Sequence, residues 1–315
     1  MKKMKILDGS NKPCPKVTVI ILVYNSLKWL EPCLASVLST DYPNYEVLVV
    51  DNKSVDGSVK YIENNFRSVK VIKNKKNYGF AEGNNIGIRH ALKNGADYVV
   101  LLNPDTKVDS MWLMNMVGLG ESNPKIAVIG GCQYDYEGDK LDLDFVGFTG
   151  KNQELNNDLV FKKPLKDFYL VTGILGACFC VKKEVFLSIG LLDPFYFMYH
   201  EESDFCRRAK MKGFGVALAT KAVFFHQRHW LDKKDMSSKI KYLICRNYLI
   251  FILKDPENEV VYNLKSAFIW TNLRDIFRDI DKNLIFRLKI KTNVLLLTPY
   301  VLYKRFLESQ KACYL

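Results

Sequence analysis

The 315-residue chain predicts an α/β protein, with a doubly wound, mostly parallel sheet and a helical extension at its carboxyl-terminal end. Three observations carry this expectation. Three apolar runs rich in β-branched residues, VTVIILV (17–23), YEVLVV (45–50) and YVVLL (98–102), suit strands buried on both faces. Amphipathic stretches separate them, and strand alternating with helix builds parallel sheets. Each run ends in a polar cluster, and in such sheets ligands sit beyond the carboxyl ends of the strands.

The first strand, 17–23, ends at Tyr24-Asn25 and is followed by a helix over 27–38. The second, 45–50, ends at Asp51. A helix over 59–65, a short strand over 69–72 and a helix over 81–94 lead to the third long strand, 98–102, which ends at Asn103-Pro104-Asp105. After Pro124 the spacing changes. IAVIGG (126–131), the polar insert YDYEGDKLDLD (134–144) and an Asn-, Lys- and Asp-rich loop near 151–167 predict a mixed sheet region with acceptor-facing loops. A strand over 175–181, a short helix over 183–189 and a helix over 202–212, acidic at its amino-terminal end, complete a domain spanning 14–230. Residues 231–315 form a basic amphipathic helical extension.

At 48% hydrophobic and 25% charged the chain can bury a large core, which excludes disordered and collagen-like classes. Eight scattered cysteines without CxxC spacing read as reduced core thiols of a cytoplasmic protein. The start, MKKMKILDGSNKPCP, has no apolar h-region, and no stretch reaches the roughly 18 apolar residues that span a bilayer. The net charge is +12, and residues 227–315 hold 17 Lys and Arg against 9 Asp and Glu. No nucleic-acid module accompanies this charge. Basic residues alternate with apolar ones, as in IFRLKIKTNVLLLTPYVLYKRFL (285–307), a pattern for an anionic membrane surface at the inner face of the plasma membrane. A packed helical subdomain with a solvated basic face, or a homodimer interface, fits the same pattern.

Asp51 and Asn52 supply acceptors and an amide at a strand end, suited to an Asx-turn or cap as well as to the edge of a pyrimidine base, and Tyr24 one strand over offers a stacking face. Gly79-Phe80-Ala81-Glu82-Gly83-Asn84-Asn85 precedes a helix, where glycines allow close backbone approach and a helix start presents free amides. It matches neither GxGxxG nor GxxxxGK[ST]. Asp105 is a carboxylate of the kind a hard cation binds together with substrate phosphates. Glu201, Glu202 and Asp204 suit a helix amino-terminus and equally a general base.

In order and spacing the segments VVDNKSVDGS (49–58), NYGFAEGNN (77–85), LLNPDT (101–106) and MYHEESDFC (198–206), followed by His226, resemble the family 2 inverting glycosyltransferases, rhamnosyltransferase-like branch. The resemblance implies a GT-A fold over residues 14–230 and a nucleotide-sugar site. Tyr24, Asp51 and Asn52 would line a uridine or thymidine pocket. Gly79, Phe80 and Asn84 would form a second donor segment. Asn103-Pro104-Asp105 would stand in the place of the family's Asp-x-Asp motif, with Asn103 replacing its first acid. Asp105 and His226 would hold Mg²⁺ or Mn²⁺, and Arg228 would face the diphosphate. Glu202 would be the base, Glu201 and Asp204 its supporting acids. The implied reaction moves a sugar, rhamnose among the candidates, from a UDP- or dTDP-sugar to a cell-surface or lipid-linked glycan. A nucleotidyltransferase would need a GxGxR-like loop, absent from ILVYNSLKWL, and a processive synthase a QxxRW motif and spanning helices. A nucleotide-sugar-binding protein without transfer activity would share the pocket alone.

Overall fold

The computed structural model describes residues 13–146, 152–227, 236–254 and 284–309. Its first half alternates as expected: β1 (Val17–Val23), α1 (Leu27–Leu38), β2 (Tyr45–Asp51), α2 (Ser58–Asn65), β3 (Lys70–Lys73), α3 (Gly79–Lys93) and β4 (Tyr98–Leu102). These strands lie in the order β3-β2-β1-β4, all parallel. Strand order reverses between β1 and β4, which opens a crevice at their carboxyl ends. Val17, Val19, Ile20, Ile21 and Val23 of β1 are wholly buried. Its odd-numbered residues pack against α1, and Ile20 faces α3 on the other side. At about 1.5–3 kcal/mol for each such side chain, this burial far outweighs the missing side-chain cap at Ser26 of α1.

The second half is mixed. It contains β5 (Thr106–Val108), α4 (Trp112–Ser122), β6 (Ile126–Asp135), α5 (Leu143–Val146), α6 (Gln153–Val160), β7 (Phe168–Leu170), β8 (Cys178–Lys182), α7 (Lys183–Ile189), α8 (Glu201–Met211) and β9 (Gly215–His226). Strand β8 runs antiparallel between β4 and β6, while β9 is parallel to β6 and antiparallel to β5 and β7. Helix α4 escapes a sequence reading because Gly118 and Gly120 each cost about 1 kcal/mol in a helix. Gly120 is there for packing: a Cβ on it would lie 2.6 Å from the Tyr98 hydroxyl.

Two further helices, α9 (Ser238–Lys254) and α10 (Leu284–Ser309), pack on each other and on the sheet domain. The attachment is ionic as well as apolar. Buried Asp204 of α8 accepts from Arg207, Arg208 and Lys254 at 2.8–3.0 Å, and buried Asp193 pairs with Lys254 and Lys304 at 3.2 and 2.7 Å. Glu308 of α10 bonds Lys254 and Arg207. Lys254 thus touches three carboxylates. This network joins the expected 14–230 domain to the 231–315 extension, with Lys254 and Lys304 pointing into the protein. A cut after about residue 235 would strip Asp193 of both its lysines, so it is not a neutral way to free the sheet domain. No described helix is long and apolar enough to cross a membrane.

Candidate active site

Tyr24 at the end of β1 is half exposed, with its ring available at the crevice, and Asp51 at the end of β2 is buried beside it in register with Val23. The Asp51 carboxylate accepts from the Lys53 and Ser54 amides at 3.1 Å, an Asx-type turn that shapes the loop. Asn52 is also engaged. Its amide donates to the Gly79 carbonyl at 2.9 Å, and its oxygen accepts from Asn74 at 2.9 Å. Asn52 therefore joins β2 to the start of α3. The remaining polar residues of 53–58 bind the loop after β1, with Asp56 accepting from the Leu27 amide and Ser54 from the Asn25 amide.

The glycine-rich segment differs from its expected use. The amides opening α3 are not free: Gly79 donates to the Asn77 side chain at 2.8 Å, and Phe80 and Ala81 donate to the Phe197 carbonyl at 2.6 and 3.2 Å. Gly79 is left-handed (φ 79°), and any Cβ there would overlap Phe197. Gly83 faces the sheet, where a Cβ would come within 2.6 Å of Leu22. These glycines serve packing against protein, because a helix laid this close on β1 has no room for side chains. Asn84 is buried and donates back to the Phe80 carbonyl at 3.0 Å, pointing along its own helix. Phe80 stays partly exposed, and its ring and the Glu202 carboxyl group both border the space beside Gly176.

Asp105 and His226 come together although 121 positions apart, because β5 and β9 pair with Thr106 opposite His226. Asp105 Oδ1 lies 3.3 Å from His226 Nε2. Behind them, Gln133 Nε2 donates to Asp142 at 2.6 Å, which turns its Oε1 toward His226 Nδ1 at 3.3 Å. With Nδ1–H donated to Gln133, Nε2 meets the Asp105 carboxylate through a bound cation or a shared proton. The pair fits a hard divalent ion that takes its remaining ligands from phosphate and water, with Gln133 as the orienting partner that histidine ligands normally have. Among the described residues no cluster of three metal-ligating side chains occurs. Asn103 contributes its backbone, donating to Ala177 and accepting from Thr106.

Glu201 and Glu202 open α8. One oxygen of each carboxyl group is enclosed without a hydrogen-bond partner among the described residues. Burial pushes both groups above the usual carboxylate range, and the neighbouring Glu202 adds to the rise at Glu201. The Gly176 amide reaches Glu202 and tempers the shift. Gly176 precedes Ala177, whose carbonyl takes the Asn103 amide, so the acidic pair and the Asn103–Asp105 segment flank one stretch of chain. Asp204 is elsewhere. Wholly buried in the ion network, it is held far below the usual carboxylate range by Lys254, Arg208 and Arg207 despite burial, and its carboxylate is taken up by these cations. Arg228 lies outside the described residues.

Sequence reasoning missed Gln133, Asn85 and Asn247. Each is a buried amide, and Asn85 exchanges two hydrogen bonds with the Leu192 backbone. The available signal was an amide inside an apolar run, as in IGGCQ and YLICRNYLI.

A family model described as "Glycosyl transferase family 2" matches residues 18–190. The low-salt glycan biosynthesis hexosyltransferase Agl10 of Haloferax volcanii is 24% identical over 247 residues, covering 74% of this chain and 76% of that protein. A dolichyl N-acetyl-alpha-D-glucosaminyl phosphate 3-beta-D-2,3-diacetamido-2,3-dideoxy-beta-D-glucuronosyltransferase of Methanococcus voltae is 30% identical over 129 residues, 36% of this chain and only 38% of its own. In fold, the chain is similar to a mannosyltransferase of Pyrobaculum calidifontis solved with GDP-Man and Mn²⁺ (TM-score 0.60, 17% identity, 96% of this chain and 88% of that one). It is likewise similar to S. aureus TarS 1-349 solved with UDP (TM-score 0.59, 16% identity, 94% and 88%). Both are GT-A glycosyltransferase structures.

Proposed function

Because the chain belongs to glycosyl transferase family 2, we propose that this glycosyltransferase works by inversion, moving a sugar from a UDP- or dTDP-sugar to a hydroxyl of a cell-surface or lipid-linked glycan, with rhamnose among the candidate sugars. The observation that carries the reading is two complementary sets flanking the Gly176-Ala177 stretch: Asp105 facing His226 Nε2, and Glu201 and Glu202, each with one enclosed carboxyl oxygen that has no partner among the described residues. Asp105 and His226 would hold Mg²⁺ or Mn²⁺, which supplies neutralising charge to the departing diphosphate. Tyr24 offers the base a stacking face above the loop that Asp51 shapes. Glu202 takes the proton of the acceptor hydroxyl. The oxygen then forms its bond to the anomeric carbon as the bond to the diphosphate breaks on the opposite face, which inverts the configuration. Glu202 is the better base of the two because its residue keeps some exposure while Glu201 is buried.

A panel of UDP-, dTDP- and GDP-sugars tested for protection against thermal unfolding, with and without Mn²⁺, identifies the donor, since a ligand that binds only the folded chain raises the melting temperature. Asp105→Ala is expected to abolish the Mn²⁺-dependent part of that protection and leave the metal-free part. Unchanged Mn²⁺ dependence in calorimetry would remove Asp105 from the metal site.

The carboxyl-terminal helices are proposed to bring the acceptor side to an anionic membrane. Helix α10 leaves Ile285, Leu288, Leu295, Leu296, Leu302 and Phe306 exposed, with Lys289 exposed among them. Attachment would combine apolar burial with about 1 kcal/mol for each basic side chain near the surface, screened by salt. The double variant Leu295→Glu, Leu296→Glu should lose sedimentation with phosphatidylserine vesicles at low salt while keeping its melting temperature. Wild-type protein that stays in the supernatant would instead assign this face to a homodimer or another partner.

A further inference from the structure

We infer that Asn247 of α9 is a positioning residue for the acidic pair, holding the backbone of residues 196–200 in the conformation that delivers Glu202 to its place beside Gly176. The inference rests on the reading of Glu202 as base but comes from different contacts. Residues Phe197, Tyr199 and His200 all have left-handed backbones (φ 65°, 75° and 72°), and none is glycine. Such residues cost on the order of 1–3 kcal/mol each and persist only where the surroundings impose them.

The surroundings here are α9. The Asn247 amide is fully buried and donates to the carbonyls of Tyr196, Met198 and Tyr199 at 2.9, 2.8 and 2.8 Å. Two N–H groups serve three acceptors, so the carbonyls must converge on this one nitrogen. Its oxygen accepts from Arg246 Nε at 2.9 Å, which orients the amide, and Arg246 also donates to the Phe195 carbonyl at 2.8 Å. The His200 ring stacks on Phe251 of the same helix, with centroids 6.0 Å apart. The Phe197 carbonyl turns the other way and accepts from the opening amides of α3. Residues 195–200 are therefore clamped between α9 and α3 and run directly into Glu201-Glu202. Helix α9 is part of the site's scaffold, although it lies outside the 18–190 family match.

Releasing the clamp should let water reach the Glu202 carboxyl group. The titratable groups facing it are Glu201, Tyr199 and Cys206, all carried on this segment or on α8, while the Gly176 amide faces it from the stretch before β8. The test follows Glu202 by NMR of protein labelled at the glutamate carboxyl carbon, its signal identified by loss in Glu202→Gln. In Asn247→Leu, similar in size and without donors, the Glu202 midpoint should move down toward the ordinary carboxylate range. Donor turnover should fall on the order of 10²-fold, the scale of a displaced catalytic group, with Mn²⁺-dependent UDP affinity held within about threefold. Val294→Ala, a cavity in the α9–α10 core, should lower the melting temperature and move neither quantity. An unmoved Glu202 titration in folded Asn247→Leu, or an equal shift in Val294→Ala, overturns the inference. Should Asn247→Leu not fold, Arg246→Met is read the same way. If the wild type turns over no donor, the proposed function fails while the titration still decides the role of Asn247.

Discussion

Glu202→Gln should lower turnover on the order of 10²- to 10⁴-fold and at the same time raise the melting temperature. The loss follows from removing the carboxylate proposed to receive the hydroxyl proton, at the magnitude typical of general-base removal. The stability gain follows from the environment. Burial raises the Glu202 carboxyl pKa, so the folded state binds its proton more tightly than the unfolded chain does. The protonated form is favourable below the ordinary carboxylate range, and that contribution is lost as pH rises through the raised value. At neutral pH the native state therefore bears a cost, which a neutral amide of the same shape removes. Such a trade of stability for activity is a recurring feature of catalytic groups. The wild-type kcat/KM profile should accordingly have its acid limb above the ordinary carboxylate range, with activity rising as pH rises. Kinetics with the donor selected by the nucleotide-sugar panel and calorimetry of the same preparations check both halves. Turnover within tenfold of wild type would move the base to Glu201.

Two residues further along α8, Asp204→Asn should do the reverse. Asp204 sits among Arg207, Arg208 and Lys254, and its loss leaves three buried cations with only Glu308 and Asp193 to balance them. Breaking a buried charge cluster by removing one partner costs about 3–5 kcal/mol. The melting temperature should fall by many degrees, and whatever enzyme remains folded should turn over donor at close to the wild-type rate per active molecule. The pH dependence has the opposite sign to that of Glu202. Lys254 leads the charges that hold both Asp193 and Asp204 below the usual carboxylate range, so their contribution is present above that range and lost as pH falls through it. Acid unfolding should therefore flatten in Asp204→Asn. A variant as stable as wild type yet catalytically dead would return Asp204 to the reaction chemistry.

The contrast between these neighbours marks the limit of what EESDF conveys as a string. Three acids at a helix start look alike until the packing separates them. Glu201 and Glu202 have no ion-pair partner among the described residues, whereas Asp204 meets Arg207, Arg208 and, 50 positions away on α9, Lys254, which Glu308 of α10 also binds. The glycines of 79–87 carry the same lesson. Their spacing was visible, but a close approach to ligand and a close approach to β1 or Phe197 demand the same missing Cβ, and only the packed sheet tells them apart.

By itself the sequence determined the doubly wound half of the fold and the edge on which its polar clusters gather. Both follow from local periodicity: β1, β2 and β4 are continuous apolar runs because each strand is covered on two faces, and each run stops at a polar residue. Only the tertiary structure decided that Asp105 and His226 face each other through β5–β9 pairing, that Gln133 lies against the His226 ring, and that Asn247 and Lys254 join the last helices to the segment leading into Glu202. These are contacts between groups far apart in the chain, and they depend on hydrogen-bond directions and on desolvation. Neither has a period that a linear pattern can register.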